Sequence, residues 1–210
     1  MINPWRSMAL HLKGPVCAAT LAMLATPAFP QALSQVAVGA PAPDFALAGA
    51  DGQTHRLSDY RGKVVVLEWT SPVCPFTAHA YKTKAMQKVQ TQAAGQRAVW
   101  LSVNTSSPGR PGFLTKDQAS ARIKTLGAKV KAFLFDTGGV VGRLYGARAT
   151  PALYVVGKDG RVVYEGAFDD DAGGTGVVRH IYVAEALAAL RAGRPVTTPE
   201  TRQYGCPVEY

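Results

Sequence analysis

Lys63-Val-Val-Val-Leu-Glu-Trp69-Thr-Ser-Pro-Val-Cys74-Pro-Phe76 is the stretch on which the fold turns. Its first half is an apolar run bounded by Gly62 and Pro72, the pattern of a strand buried on both faces. Its second half sets a cysteine directly before a proline. Proline suits the first turn of a helix, where its missing N–H would lack a partner in any case. Phe76, Ala80 or Tyr81, Ala85 and Val89 then recur at helical spacing and predict a helix to about Gln92. A cysteine at such a junction faces unpaired backbone N–H groups and the positive end of the helix dipole. Both favour the thiolate, which is the nucleophilic form. The competing expectation is an inert thiol packed as a small apolar residue.

Working outward, residues 97–103 read as a second strand, 104–113 as a loop, and Thr115 as the cap of a helix carrying 119–126. Residues 132–135 form a third short strand, and 138–145 a short helix. The runs 152–156 and 161–165 flank the turn Lys158-Asp-Gly160, a hairpin signal. Val177, Ile181, Ala184, Leu187 and Leu190 mark a final amphipathic helix, followed by a tail with three prolines that reads as flexible. Strand–helix–strand–helix, then a hairpin and a closing helix, implies an α/β protein of thioredoxin-like fold. Its central mixed β-sheet would be flanked by helices on both faces.

Arg6 and Lys13 precede an apolar stretch at 15–25, with small residues at Thr26, Ala28, Ala32 and Ser34. That order predicts a secretory signal over residues 1–34, with cleavage near 28 or 34. The apolar core falls short of the roughly 20 residues of a membrane span; the alternative is an uncleaved anchor. The remaining chain divides into a thioredoxin-like redoxin domain at 35–194 and a tail at 195–210. Cys17 would leave with the leader. Cys74 and Cys206 would then stand in a periplasmic or secreted protein, a compartment where disulfides persist. The net charge of +9 is scattered, with no run of five like charges, which argues against a nucleic-acid partner. No stable membrane association is expected once the leader is gone.

Several matches act together: Trp69-Thr70, Cys74-Pro75-Phe76, Tyr81, Tyr145-Gly146-Ala147, Thr150-Pro151, Gly166 with Asp169-Asp170, and Tyr204-Gly205-Cys206. With them the chain from about Val38 onward resembles exported redoxin or peroxiredoxin-like members of the thioredoxin superfamily, of the alkyl hydroperoxide reductase/thiol-specific antioxidant type. The resemblance implies a peroxidatic or thiol-exchange cysteine at Cys74. It implies that Thr150-Pro151 is a cis-proline element lying against the thiol and offering backbone to a substrate chain. It also implies that Glu68 is a buried acid exchanging protons with the thiol through water. The plainer readings are an ordinary strand-start proline and a glutamate that reaches solvent or a basic partner.

Departures from the family pattern narrow the chemistry. Thr77 stands where a thioredoxin has its second cysteine, so no local CxxC disulfide forms. Leu67 and Ser71 occupy the peroxiredoxin Pro and Thr positions, although Ser71 keeps a hydroxyl donor. Arg148 is the candidate for the arginine that peroxiredoxins place near the thiolate, and His79 reads as surface. Cys206 is expected either to resolve an oxidised Cys74 or to pair elsewhere or stay free. The expected reaction is attack on a peroxide or on a protein or small-molecule disulfide, with an external thiol as reductant and no cofactor or metal. The alternatives are a redox-inert binding module and a metal-delivery protein, for which one active-site cysteine and His79 make a poor ligand set.

Overall fold

The computed structural model describes residues 36–210. The expected leader, its cleavage site and Cys17 lie outside the described residues.

The run that opens the sequence forms β3 (Val65–Trp69), all five residues buried. It pairs in parallel with β4 (Val99–Asn104) and antiparallel with β7 (Ala152–Val156). β4 is flanked in turn by β5 (Ala132–Phe135), also parallel, and β7 by β8 (Val162–Gly166), antiparallel. A hairpin of β1 (Ala46–Gly49) and β2 (Thr54–Arg56) extends the β5 edge, giving a seven-stranded sheet in the order β2-β1-β5-β4-β3-β7-β8. The central strands and the β7–β8 hairpin are those the sequence predicts; the β1–β2 hairpin, which turns at Asp51-Gly52, is not among them.

Alternation along β3 divides the core into two layers. Val65, Leu67 and Trp69 face one cluster with Tyr60, Tyr145 and Tyr154; α4 (Val140–Tyr145) covers it. Val66 faces a second cluster with Tyr81, Met86, Trp100 and Leu187, covered by α1 (Pro75–Lys82), α2 (Ala85–Gly95) and α5 (Tyr182–Arg191). α3 (Lys116–Leu126) opens with the expected cap, Thr115, whose Oγ1 accepts from the N–H of Gln118.

Three expectations need correction. The helix after Cys74 is two helices, because Lys84 adopts a left-handed backbone (φ 65°), and the first closes with Thr83 N–H on His79 O and Lys84 N–H on Tyr81 O. The last helix begins at Tyr182, not near Val177. The Asp171 carboxylate accepts from the N–H groups of Thr175 and Gly176, and Asp170 from those of Arg179 and His180, which holds that segment in turns. The tail is not flexible but docked. It runs from β8, where Thr201 N–H donates to Glu165 O, to a two-residue strand β9 (Cys206–Pro207) paired with β6 (Ala149–Thr150). A proline-rich segment cannot form a continuous ladder, so side chains supply the bonds between these two points.

Candidate active site

Cys74 is the N-cap of α1, with extended backbone (φ −79°, ψ 118°) and Pro75 behind it. The turn leading to it is tied to β4: Thr70 N–H donates to Val103 O, and Asn104 Nδ2 donates to Thr70 O. The thiol therefore emerges where the parallel strands end, the edge at which α/β sheets usually present ligands. It is fully buried. In its protonated form Sγ donates to the Thr150 carbonyl at 2.9 Å, and Thr150-Pro151 is a cis peptide.

The same Thr150 meets the tail. β6 and β9 pair antiparallel with Thr150 opposite Cys206, and Thr150 Oγ1 donates to Cys206 O at 3.4 Å. Both cysteines are free thiols, and Thr150 links them: its carbonyl meets Cys74 and its backbone pairs with Cys206. Burial acts to raise the Cys74 pKa. It is outweighed by hydrogen bonds from the Thr150 side chain and the Cys206 thiol, then by backbone N–H groups of Thr77 and Cys206, so the thiol ends below its ordinary value. Cys206 moves the other way: burial, then donation to Cys74 and its charge, push it up to about 11. The two shifts have opposite sign, so Cys74 gives up its proton before Cys206 does.

Gly205 makes this approach possible. Its φ is 128°, and a Cβ there would lie 2.0 Å from Thr150 O. Upstream, the Gln203 amide accepts from Arg148 N–H and donates to Tyr154 OH. The Tyr204 hydroxyl donates to Asp169, and its ring packs edge-on against Phe76 at 5.7 Å. Phe76, His79, Pro151, Phe168, Asp169 and Tyr204 line a groove of about 230 Å³ beside Cys74. His79 is exposed, as its spacing suggested, yet it belongs to this groove.

The remaining expected residues are placed as follows. Glu68 is fully buried on the face of β3 toward α1 and α2. Its carboxylate accepts from Trp100 Nε1 and Ser102 Oγ, both at 2.8 Å, and from Tyr81 OH. Burial raises its pKa, against the lowering influence of those donors and of Arg122. Ser71 reaches Cys74 through its backbone, its carbonyl accepting from Cys74 N–H at 3.4 Å, while its hydroxyl lies beside Gly112. Arg148 has an exposed side chain; its backbone N–H and C=O serve the tail, bonding Gln203 and Val208. Gln203, Tyr204 and Phe168 were not singled out from sequence. Tyr204 stood inside a family match, but nothing in the sequence marked the other two.

A cysteine heading a helix, faced by a Thr-Pro turn at the end of a mixed sheet, defines a thioredoxin-fold protein of the redoxin type. The chain belongs to the AhpC/TSA family, whose model matches residues 38–165. It is 29% identical over 134 residues to the thiol-disulfide oxidoreductase ResA of Geobacillus thermodenitrificans, spanning 60% of this chain and 67% of that protein. A hypothetical protein from Sinorhizobium meliloti 1021 superposes with a TM-score of 0.73 at 26% identity, covering 84% of this chain and 96% of that one. A putative thiol:disulfide interchange protein DsbE from Chlorobium tepidum shares the fold, with a TM-score of 0.55 at 23% identity over 76% and 98% of the two chains.

Proposed function

We propose that the protein is an extracytoplasmic thiol-disulfide oxidoreductase in which Cys74 attacks and Cys206 resolves. The observation that carries this is the β6–β9 pairing, which sets Cys206 opposite Thr150, the residue whose carbonyl the Cys74 thiol meets. The Cys74 thiolate attacks one sulfur of a substrate disulfide, forming a mixed disulfide and expelling the other sulfur as a thiolate. Cys206 passes its proton to solvent and attacks Cys74 Sγ; the Cys74–Cys206 bond forms and the second substrate thiolate leaves. The substrate gains two electrons, the cysteine pair loses two, and an external dithiol restores the pair. Glu68 is the buried acid available to this proton traffic. Thr150 and Pro151 present the edge that orients the incoming sulfur, while Ser71 and Arg148 act through the backbone.

Support for a disulfide substrate comes from the groove beside Pro151, large enough for side chains, and from the name of the ResA relative. Support for an extracytoplasmic site comes from the order of charged, apolar and small residues at 1–34. Among the described residues no helix is long and apolar enough to cross a membrane.

A second reading has its own observation. Cys74 is fully covered, which favours a small oxidant, and peroxide would convert it to a sulfenic acid with release of water or an alcohol. Attack by Cys206 would then give the same disulfide and a second water. The experiment is stopped-flow oxidation of the reduced protein by hydrogen peroxide and by an aromatic disulfide, followed by non-reducing peptide mapping. The oxidoreductase reading expects rapid reaction with the disulfide and a Cys74–Cys206 linked peptide. Two free thiols after treatment with both oxidants would overturn it, and fast reaction with peroxide alone would favour the second reading.

A further inference from the structure

The tail leaves its own side chains in places a partner would need. Cys206 stands opposite Thr150 in an antiparallel pair, Gly205 lies against the Thr150 carbonyl, and Tyr204 fills the side of the groove between Phe76 and Asp169. A short sheet edge with side-chain recesses beside it is the arrangement by which extended peptides are bound, their backbone in the ladder and their side chains in the recesses. Here that arrangement is already filled from within.

Two attachments flank the filled stretch. On the upstream side, Thr201 Oγ1 pairs with Tyr164 OH at 2.7 Å and accepts from Ala167 N–H at 2.9 Å. On the downstream side, Tyr210 sits in a notch above α4. A Cβ on Gly139 or Gly142 would fall 2.0 or 2.7 Å from its ring, Arg143 lies 4.4 Å over that ring, and its hydroxyl donates to Ala147 O. Between these points only two residues, Cys206 and Pro207, are in strand pairing. So short a pairing is weakly held by itself, and the flanking attachments keep it in place.

We infer that residues 203–208 occupy the docking edge for an extended, cysteine-bearing polypeptide disulfide, and that Thr201 and Tyr210 are clasps such a partner must open. The inference rests on the oxidoreductase reading and deepens it. A small disulfide can reach Cys74 by brief local opening, whereas a polypeptide that needs the Thr150 edge must displace the strand lying there. The preferred partner presents an aromatic side chain two positions before its cysteine and a glycine just before it, as the tail does.

The test uses full-length Cys206→Ser protein, in which resolution is blocked and attack by Cys74 is read alone. Two probes carry the same leaving group, thionitrobenzoate: a mixed disulfide with free cysteine, and one with the peptide Gln-Tyr-Gly-Cys-Pro-Val. Cys74 thiolate attacks the cysteine sulfur of either probe, forming a mixed disulfide and releasing the coloured thiolate. Adding Tyr210→Ala is expected to raise the peptide rate about tenfold, matching about 1.4 kcal/mol of lost docking, and to leave the cysteine probe within about twofold. Thr201→Val, at the other clasp, is expected to act in the same direction. Unchanged peptide rates in both variants, equal acceleration of both probes, or equal rates for a scrambled peptide would each overturn the clasps. In the first and third cases normal reaction with the cysteine probe leaves the oxidoreductase reading standing. Inertness of Cys74 to both probes would remove that reading and the clasps together.

Discussion

At the scale of single residues, the two sulfurs differ because their surroundings treat one proton differently. Donors on Thr150, Cys206 and nearby backbone favour the thiolate form of Cys74 and pull its pKa down, while burial and the neighbouring sulfur push Cys206 up. Two thiols this close titrate as a pair. Alkylation of Cys74 in the reduced protein should therefore rise with pH with a midpoint below the ordinary cysteine value of 9.0. Thr150→Val removes a donor to the thiolate and should move that midpoint upward; a profile unchanged from wild type would show that the hydroxyl contributes nothing. Glu68 gives a stability prediction of definite sign. Its folded pKa is raised above 4.5, so the unfolded chain gives up that proton first as pH rises, and folding stability falls through the window between the two values. Glu68→Gln has no proton to lose. The melting temperature of wild type relative to Glu68→Gln should drop as pH rises from about 4.5, measured by calorimetry across that range.

At the scale of elements, what the sequence disclosed was what periodicity encodes. β3, β4 and the β7–β8 hairpin were legible because apolar runs and a Lys-Asp-Gly turn mark them, and Cys74 because a strand and a proline bracket it. The break between α1 and α2 was not legible: Lys84 carries no mark of a left-handed backbone, which ordinary residues adopt at a cost of roughly 1–2 kcal/mol. Lys84→Gly should therefore stabilise the fold, by up to about 1 kcal/mol after the entropy of the added freedom is counted. A urea midpoint lower than wild type would refute this account of the break. The tail misled for a related reason. Its prolines announce a segment without a ladder, and they did so correctly, but its attachments are made by Thr201, Gln203, Tyr204 and Tyr210, whose partners lie far away in sequence. Only Cys206 announced itself, through its chemistry.

For the whole molecule, the Cys74–Cys206 bond would join the first turn of α1 to the end of the tail, closing most of the domain into one loop. Cross-links of this span restrict the unfolded chain and typically add about 2–4 kcal/mol. Oxidised protein should unfold at higher denaturant than reduced protein, and Cys206→Ser should be indifferent to oxidant; equal midpoints for the oxidised and reduced forms would argue that no such bond forms. Because the tail is docked with both thiols free, the gain should come with little rearrangement.

The notch that receives Tyr210 has a second wall. An added Cβ on Gly142 would touch not only the Tyr210 ring but also Trp69 Nε1, at 3.1 Å, and that indole nitrogen is buried. Departure of Tyr210 would open the indole to water and shift its emission to longer wavelength. Trp69 is thus a native fluorophore beside the notch, by which the proposed release of the tail can be followed in unlabelled protein.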